Sequence, residues 1–209
     1  GAGRGECFGV EALQALEDTR KDGAEAGLVV LATGLGKTWL SAFDVLAFAG
    51  ERGKALQDLR VLFVAHREEI LSQALDTYRR LAPQASLGKY TGTEKVIDAQ
   101  ILFASVQTLA RVAHLRRFQR DEFDYIIVDE FHHAAAATYR KVIDYFHPGF
   151  LLGLTATPER TDGGDLLALC GQNLVYRCDL GRGVRGGELS PFQYFGVPDS
   201  EVDYSAVPW

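Results

Sequence analysis

The stretch Ala32-Thr-Gly-Leu-Gly-Lys-Thr38 sets two glycines beside a lysine and a hydroxyl. Glycines let a backbone wrap closely around an anion and turn several N–H groups inward. A helix opening near Lys37 adds the positive end of its dipole. The chemistry this suits is phosphate binding, with Lys37 reaching the outer phosphates and the Thr38 hydroxyl ligating Mg²⁺. A second cluster, Asp129-Glu-Phe-His-His133, offers adjacent carboxylates. Phosphoanhydride hydrolysis needs one carboxylate to hold the metal and another to orient or deprotonate water. Asp129 suits the metal and Glu130 the water. A third cluster, Thr155-Ala-Thr157, offers hydroxyls that could bond to the acidic motif or to a neighbouring domain.

Each cluster has a blander reading: a glycine turn, a solvated acidic loop, a threonine turn before Pro158. The general phosphate-loop pattern G-x-x-x-x-G-K-[ST] is incomplete here, because Leu31 stands where its first glycine belongs. The order of strand, loop, Gly-Lys-Thr and helix, with an acidic strand end downstream, favours the phosphate reading. A zinc set of Glu130, His132 and His133 is disfavoured, since H-E-x-x-H is absent and adjacent residues on a regular element diverge.

The elements that must position these residues are legible from hydrophobic pattern. Leu28–Leu31, Arg60–Ala65, Ile101–Ala104, Asp124–Asp129 and Phe150–Thr155 are short apolar runs of the kind buried on both faces of a parallel sheet. Ser86–Tyr90 is a further short strand. Helical spacing runs through 10–20, from Lys37 to a stop at Gly50, from His66 to about Leu81 before Pro83, through 108–118 and through 134–146. Strands alternating with helices imply right-handed crossovers and a sheet covered on both faces. Ligands of such sheets sit beyond the carboxyl ends of the strands. Residues 32–38, 66–67, 105–108, 129–133 and 155–157 all follow a strand end. Beyond 172 the pattern weakens: Gly181–Gly187 reads as a connector and Pro191–Val197 as one further strand.

The 209 residues suffice for one domain with a sizeable core, or one domain plus an appendage. A net charge of −6 means that any nucleic-acid contact must come from a local basic face. Arg111, His114, Arg116, Arg117 and Arg120 could extend such a face or form a solvated helix surface. No run is long enough to span a membrane, and no secretory signal opens the chain. Cys7, Cys170 and Cys178 form neither a zinc spacing nor a disulfide framework, as expected of reduced thiols in the cytoplasm. A start without Met, and no Met anywhere, suggests a segment of something longer.

The motifs at 32–38, 129–132 (Asp-Glu-Phe-His) and 155–157 resemble motifs I, II and III of superfamily 2 helicases of the D-E-x-H type. Ala65-His66-Arg67 resembles motif Ia, and Ser105-Val-Gln-Thr-Leu109 the next strand-end motif that touches the nucleic-acid backbone. Gly153-Leu-Thr-Ala-Thr-Pro-Glu-Arg160 is similar to the group related to type III restriction-enzyme helicase subunits. The resemblance covers about residues 8–197. It implies a three-layer α/β/α domain of the RecA-like P-loop kind with a mostly parallel sheet, over residues 1–175. Residues 176–209 would be a C-terminal connector and the start of a second motor domain.

By that resemblance Thr33, Gly34, Leu35, Gly36, Lys37 and Thr38 bind ATP with Mg²⁺, and Thr38 and Asp129 hold the metal. Lys37, Asp129 and Glu130 serve hydrolysis. His132, Thr155 and Thr157 couple the nucleotide state to domain movement. His66, Arg67, Ser105, Gln107 and Thr108 line the track of one nucleic-acid strand, DNA in preference to RNA, by contacts that position without reading sequence. The partner is a second RecA-like domain, whose motifs, arginine finger included, are missing from this chain. Such a finger is worth about 10³–10⁵ in rate in related NTPases, so the isolated chain should hydrolyse ATP poorly. The glutamine that reads adenine in the family is missing near Phe8–Val10; Gln14 lies inside the first helix. The competing readings are a P-loop small-molecule kinase, which would want an arginine-rich lid, and a non-catalytic interaction module, against which intact Lys37, Asp129 and Glu130 speak.

Overall fold

Apolar runs and helical stripes assemble into a seven-stranded sheet with helices on both faces. The computed structural model describes residues 5–134, 136–156 and 167–178. In chain order the elements are α1 (Gly5–Lys21), β1 (Ala26–Leu31), α2 (Lys37–Glu51), β2 (Val61–Ala65), α3 (Glu68–Leu81), β3 (Leu87–Tyr90), β4 (Ile101–Ser105), α4 (Val106–Leu109), α5 (Val112–Leu115), β5 (Tyr125–Val128), α6 (Ala137–Ile143), β6 (Phe150–Thr155) and β7 (Leu174–Cys178). The strand order is β3-β4-β2-β5-β6-β1-β7, and every pairing between these strands is parallel.

Alternate residues of each inner strand enter opposite cores, as the pleat requires. Val29 and Leu31 belong to the core that holds Leu16, Val45, Phe48, Leu71 and Tyr78 from α1, α2 and α3. Leu28 and Val30 belong to the core that holds Val106, Leu109, Leu115, Tyr139 and Val142 from α4, α5 and α6. The inner strands β1, β2, β4, β5 and β6 are almost wholly buried, which explains their unbroken apolar sequence.

The structure departs from the expected elements in several places. The helical segment expected to run to 118 is two short helices, because Arg111 takes an extended backbone (φ −72°, ψ 128°) between them. The helix expected over 134–146 is confined to Ala137–Ile143. The strand β7 was not read from sequence. It lies at the sheet's end, half-exposed except for Cys178, so it lacks the buried run that marks inner strands. It crosses the expected domain edge at 175/176 and pairs with β1 along Leu28–Leu31. Trp39 and Phe43, read as part of the α2 apolar stripe, are 40% and 43% exposed. The strand expected at 191–197 and the connector at 181–187 lie outside the described residues.

Candidate functional site

The phosphate-loop geometry follows from its glycines. Gly34 (φ 90°) and Gly36 (φ 76°, ψ 36°) both take left-handed backbone, which a side chain would strain. They turn the chain from buried β1 into α2, whose first residue is Lys37. Thr33 and Gly34 are exposed, while Leu35, Gly36, Lys37 and Thr38 are half-buried. The Lys37 ammonium donates to the Leu31 carbonyl oxygen at 3.2 Å, so the side chain folds back over its own loop. Burial lowers the Lys37 pKa, and the nearby charges of Asp129 and Glu130 pull it back up.

Asp129 stands just past β5, 6% exposed. Its N–H donates to the Val64 carbonyl at 2.9 Å, and its Oδ1 accepts the Glu130 N–H at 2.8 Å. Burial pushes its carboxyl above the usual range, and Lys37 is among the groups drawing it down. Lys37 and the acidic pair therefore share one electrostatic environment. They do not sit on neighbouring strands, as a simple adjacency of the two motifs would have it: β6 runs between β1 and β5. That arrangement puts Thr155, at the end of β6, between the phosphate loop and the acidic turn. Thr155 pairs with Val30 in register.

Glu130 has left-handed backbone (φ 53°) and caps a 3-10 turn over Phe131–His133. Non-glycine residues in that region cluster at functional sites. Phe131 is fully buried against Gly153, and a Cβ at 153 would stand 2.8 Å from the ring. The two histidine rings of the turn pack together, centroids 4.1 Å apart, and reach different further partners. His132 Nδ1 lies 3.2 Å from Thr155 Oγ1. The His133 ring lies 5.0 Å from that of His66 and 6.4 Å from that of Tyr139. Thr157 lies outside the described residues.

His66 and Arg67 follow β2, Ser105 closes β4, and Gln107 lies on α4. Ser105 Oγ donates to Gln107 Oε1 (2.8 Å), and Gln107 Nε2 donates to the His66 carbonyl (3.0 Å). Arg67 and Gln107 are exposed, His66 is half-buried, and Ser105 and Thr108 are buried at 6% exposure each. Sequence reasoning did not anticipate that His66 Nδ1 would reach Glu130 Oε2, 2.5 Å away. No spacing rule links residues 64 positions apart; only the β2–β5 pairing does.

Hard oxygen donors at Thr38 and Asp129 fit Mg²⁺, and a buried carboxyl held above its usual range is one that a cation would relieve. A second group, His66, Glu130 and His133, brings ligand atoms within 4.8 Å of one another. It replaces His132 of the zinc set weighed above with His66, since His132 faces Thr155.

A left-handed glycine loop feeding a Gly-Lys-Thr helix start, and an acidic turn at the same end of one parallel sheet, define a RecA-like P-loop NTPase domain. The chain belongs to the family of the type III restriction enzyme res subunit, whose model matches residues 9–160. The superfamily 2 helicase kinship read from the motifs is borne out.

IRC3 of Saccharomyces cerevisiae, provisionally named an ATP-dependent helicase, is 31% identical over 73% of this chain and 23% of its own length. The type I restriction enzyme EcoAI endonuclease subunit of Escherichia coli is 30% identical over 91% of this chain and 24% of its own. The chain thus spans about a quarter of these relatives. The type ISP restriction-modification enzyme LlaGI, solved with a DNA substrate mimic, aligns at a TM-score of 0.67 over 87% of this chain and 20% of its own, at 16% identity, a likeness of fold.

Proposed function

We propose that this chain is the ATP-binding half of a nucleic-acid-driven motor, working on DNA in the cytoplasm and completed by a second RecA-like domain. The observation that carries the reading is the shared electrostatic environment of Lys37, Asp129 and Glu130 at one end of the sheet. Lys37 and the loop N–H groups of Gly34 and Gly36 bind the triphosphate, while the Leu35 N–H closes the loop on the Ala32 carbonyl at 3.2 Å. Thr38 and Asp129 hold Mg²⁺, which neutralises phosphate charge. Glu130 orients water. His132 and Thr155, already in contact, relay the nucleotide state across β6 to the partner domain. Arg67 and Gln107 present exposed donors to one strand's phosphates. The restriction-enzyme relatives favour DNA as that strand. Residues 8–178 would form the first domain, with the arginine finger supplied from outside the chain.

Trp39 stands on α2 immediately after Lys37 and Thr38, so its fluorescence should report MgATP binding to the chain. Lys37→Ala should abolish that signal. In the full-length protein, DNA should stimulate ATP hydrolysis, and Glu130→Gln should keep binding but lose turnover. Turnover that survives Glu130→Gln would refute the assignment of the water-orienting carboxylate.

A further inference from the structure

A continuous chain of polar contacts joins exposed Arg67 and Gln107, just past β2 and β4, to Glu130. Ser105 bonds to Gln107, and Gln107 bonds to the backbone of His66. Arg67 Nε–H donates to His66 Nε2 at 3.1 Å. A nitrogen that accepts carries no proton, so the network assigns the imidazole proton to Nδ1. Nδ1 is the atom 2.5 Å from Glu130 Oε2. The pair lies off the line of an ideal N–H···O bond, and neither atom has a hydrogen-bond partner among the described residues. Both side chains keep about a quarter of their surface exposed, at 23% and 27%.

We propose that His66 is a positioning residue that holds Glu130 in an idle state, and that a nucleic-acid phosphate releases it by capturing Arg67. The inference rests on the reading of Glu130 as the water-orienting carboxylate and of Arg67 as a backbone contact. The physical argument has two steps. First, the close approach of Nδ1 covers the Glu130 oxygen that would otherwise accept from water, and its polar attraction draws the carboxylate toward β2. Second, Arg67 fixes the tautomer and the ring orientation that make this contact possible. A guanidinium binds phosphate more strongly than it binds a neutral imidazole, because the phosphate bond is charge-assisted and bidentate. When Arg67 turns to the strand, His66 Nε2 loses its donor and the ring loses its orientation. The misaligned contact to Glu130 is the weakest link of the chain and opens first. Hydrolysis without nucleic acid is thereby suppressed by contacts already in place.

The test is ATP hydrolysis by the full-length protein, with and without single- or double-stranded DNA. His66→Ala and His66→Phe both remove the Nδ1 donor, and Phe keeps a ring beside His133. Both should raise the DNA-free rate, by roughly three- to tenfold if one modest polar contact is the restraint. The ATP KM should stay unchanged, and the ratio of stimulated to basal rate should fall. His66→Asn places its amide N–H where Nδ1 was and should keep the basal rate low. A purely structural role would lower kcat in all three variants and would not separate Asn from Phe. Equal basal rates in Asn and Phe, or unchanged stimulation in Ala, overturn the proposal while leaving the motor reading intact. A parent enzyme that DNA does not stimulate overturns both.

Discussion

Two adjacent histidines show how far residue types alone can be read. His132 and His133 follow one acidic pair, yet His132 meets Thr155 while His133 packs toward His66 and Tyr139. The sequence made the first contact legible, because hydroxyls at 155–157 are expected to bond to the acidic motif. The second depends on a strand pairing that no local pattern encodes. Cys170 is a simpler case. Burial pushes its thiol from 9.0 up to about 12. The folded state therefore holds that proton more tightly than the unfolded chain does. The stability this contributes is fully present below pH 9 and is lost as pH rises toward about 12. Iodoacetamide at pH 8, mapped by peptide mass spectrometry, should spare Cys170 in the native protein and modify it in urea. Rapid native labelling would show that the thiol is not buried as described.

At the scale of elements, inner strands announce themselves and edges do not. The buried runs of β1, β2, β4, β5 and β6 were readable because both their faces are covered. The strand β7 has exposed residues at Leu174 and Arg177 and only Cys178 buried, so it shows neither an apolar run nor a regular alternation. Strand order was equally invisible, so the place of β6 between the phosphate loop and the acidic turn came only from the fold. That place explains Gly153. Its missing side chain makes room for the buried Phe131 ring, which anchors the turn carrying Asp129 and Glu130. Gly153→Ala sets a methyl group 2.8 Å from that ring. The ring has no exposed side to move toward, so the turn must shift. Overpacking of this kind costs about 1–3 kcal/mol, measured by urea denaturation. Turnover should fall further than nucleotide affinity, because Glu130 moves while the glycine loop does not. Adding Phe131→Leu to Gly153→Ala should recover part of both losses. An alanine variant as stable and as active as the parent would show that the turn is not anchored there.

The whole molecule divides along the strand direction. The phosphate loop, the acidic turn and the His66 network gather at the carboxyl ends of the strands. At the opposite end, near the start of β5, lies a buried charge cluster that the sequence concealed within the apolar α2 helix. Arg20 donates to Asp44 at 2.8 Å and reaches Glu51 through two bonds of 2.6 and 2.9 Å. Tyr125 donates its hydroxyl to the same oxygen of Asp44. Asp44 is fully buried, and the Arg20 guanidinium also stands over Phe150, 5.2 Å from the ring centre. The cluster ties α1, α2 and β5 together, and removing one partner of such a buried pair typically costs about 3–5 kcal/mol. The cost should be unequal. Without Asp44, Arg20 keeps its two bonds to Glu51; without Arg20, Asp44 keeps only a phenol. Arg20→Ala should therefore lower the urea midpoint more than Asp44→Ala. For a domain of this size that corresponds to a melting-temperature drop of roughly 6–20 °C. MgATP affinity, read from Trp39 fluorescence well below the melting point, should be unchanged in Arg20→Ala, whereas Lys37→Ala should lose affinity with little change in melting. If Arg20→Ala weakened nucleotide binding while the fold remained intact, the two ends of the sheet would be coupled, and the separation of stability from chemistry along the strands would fail.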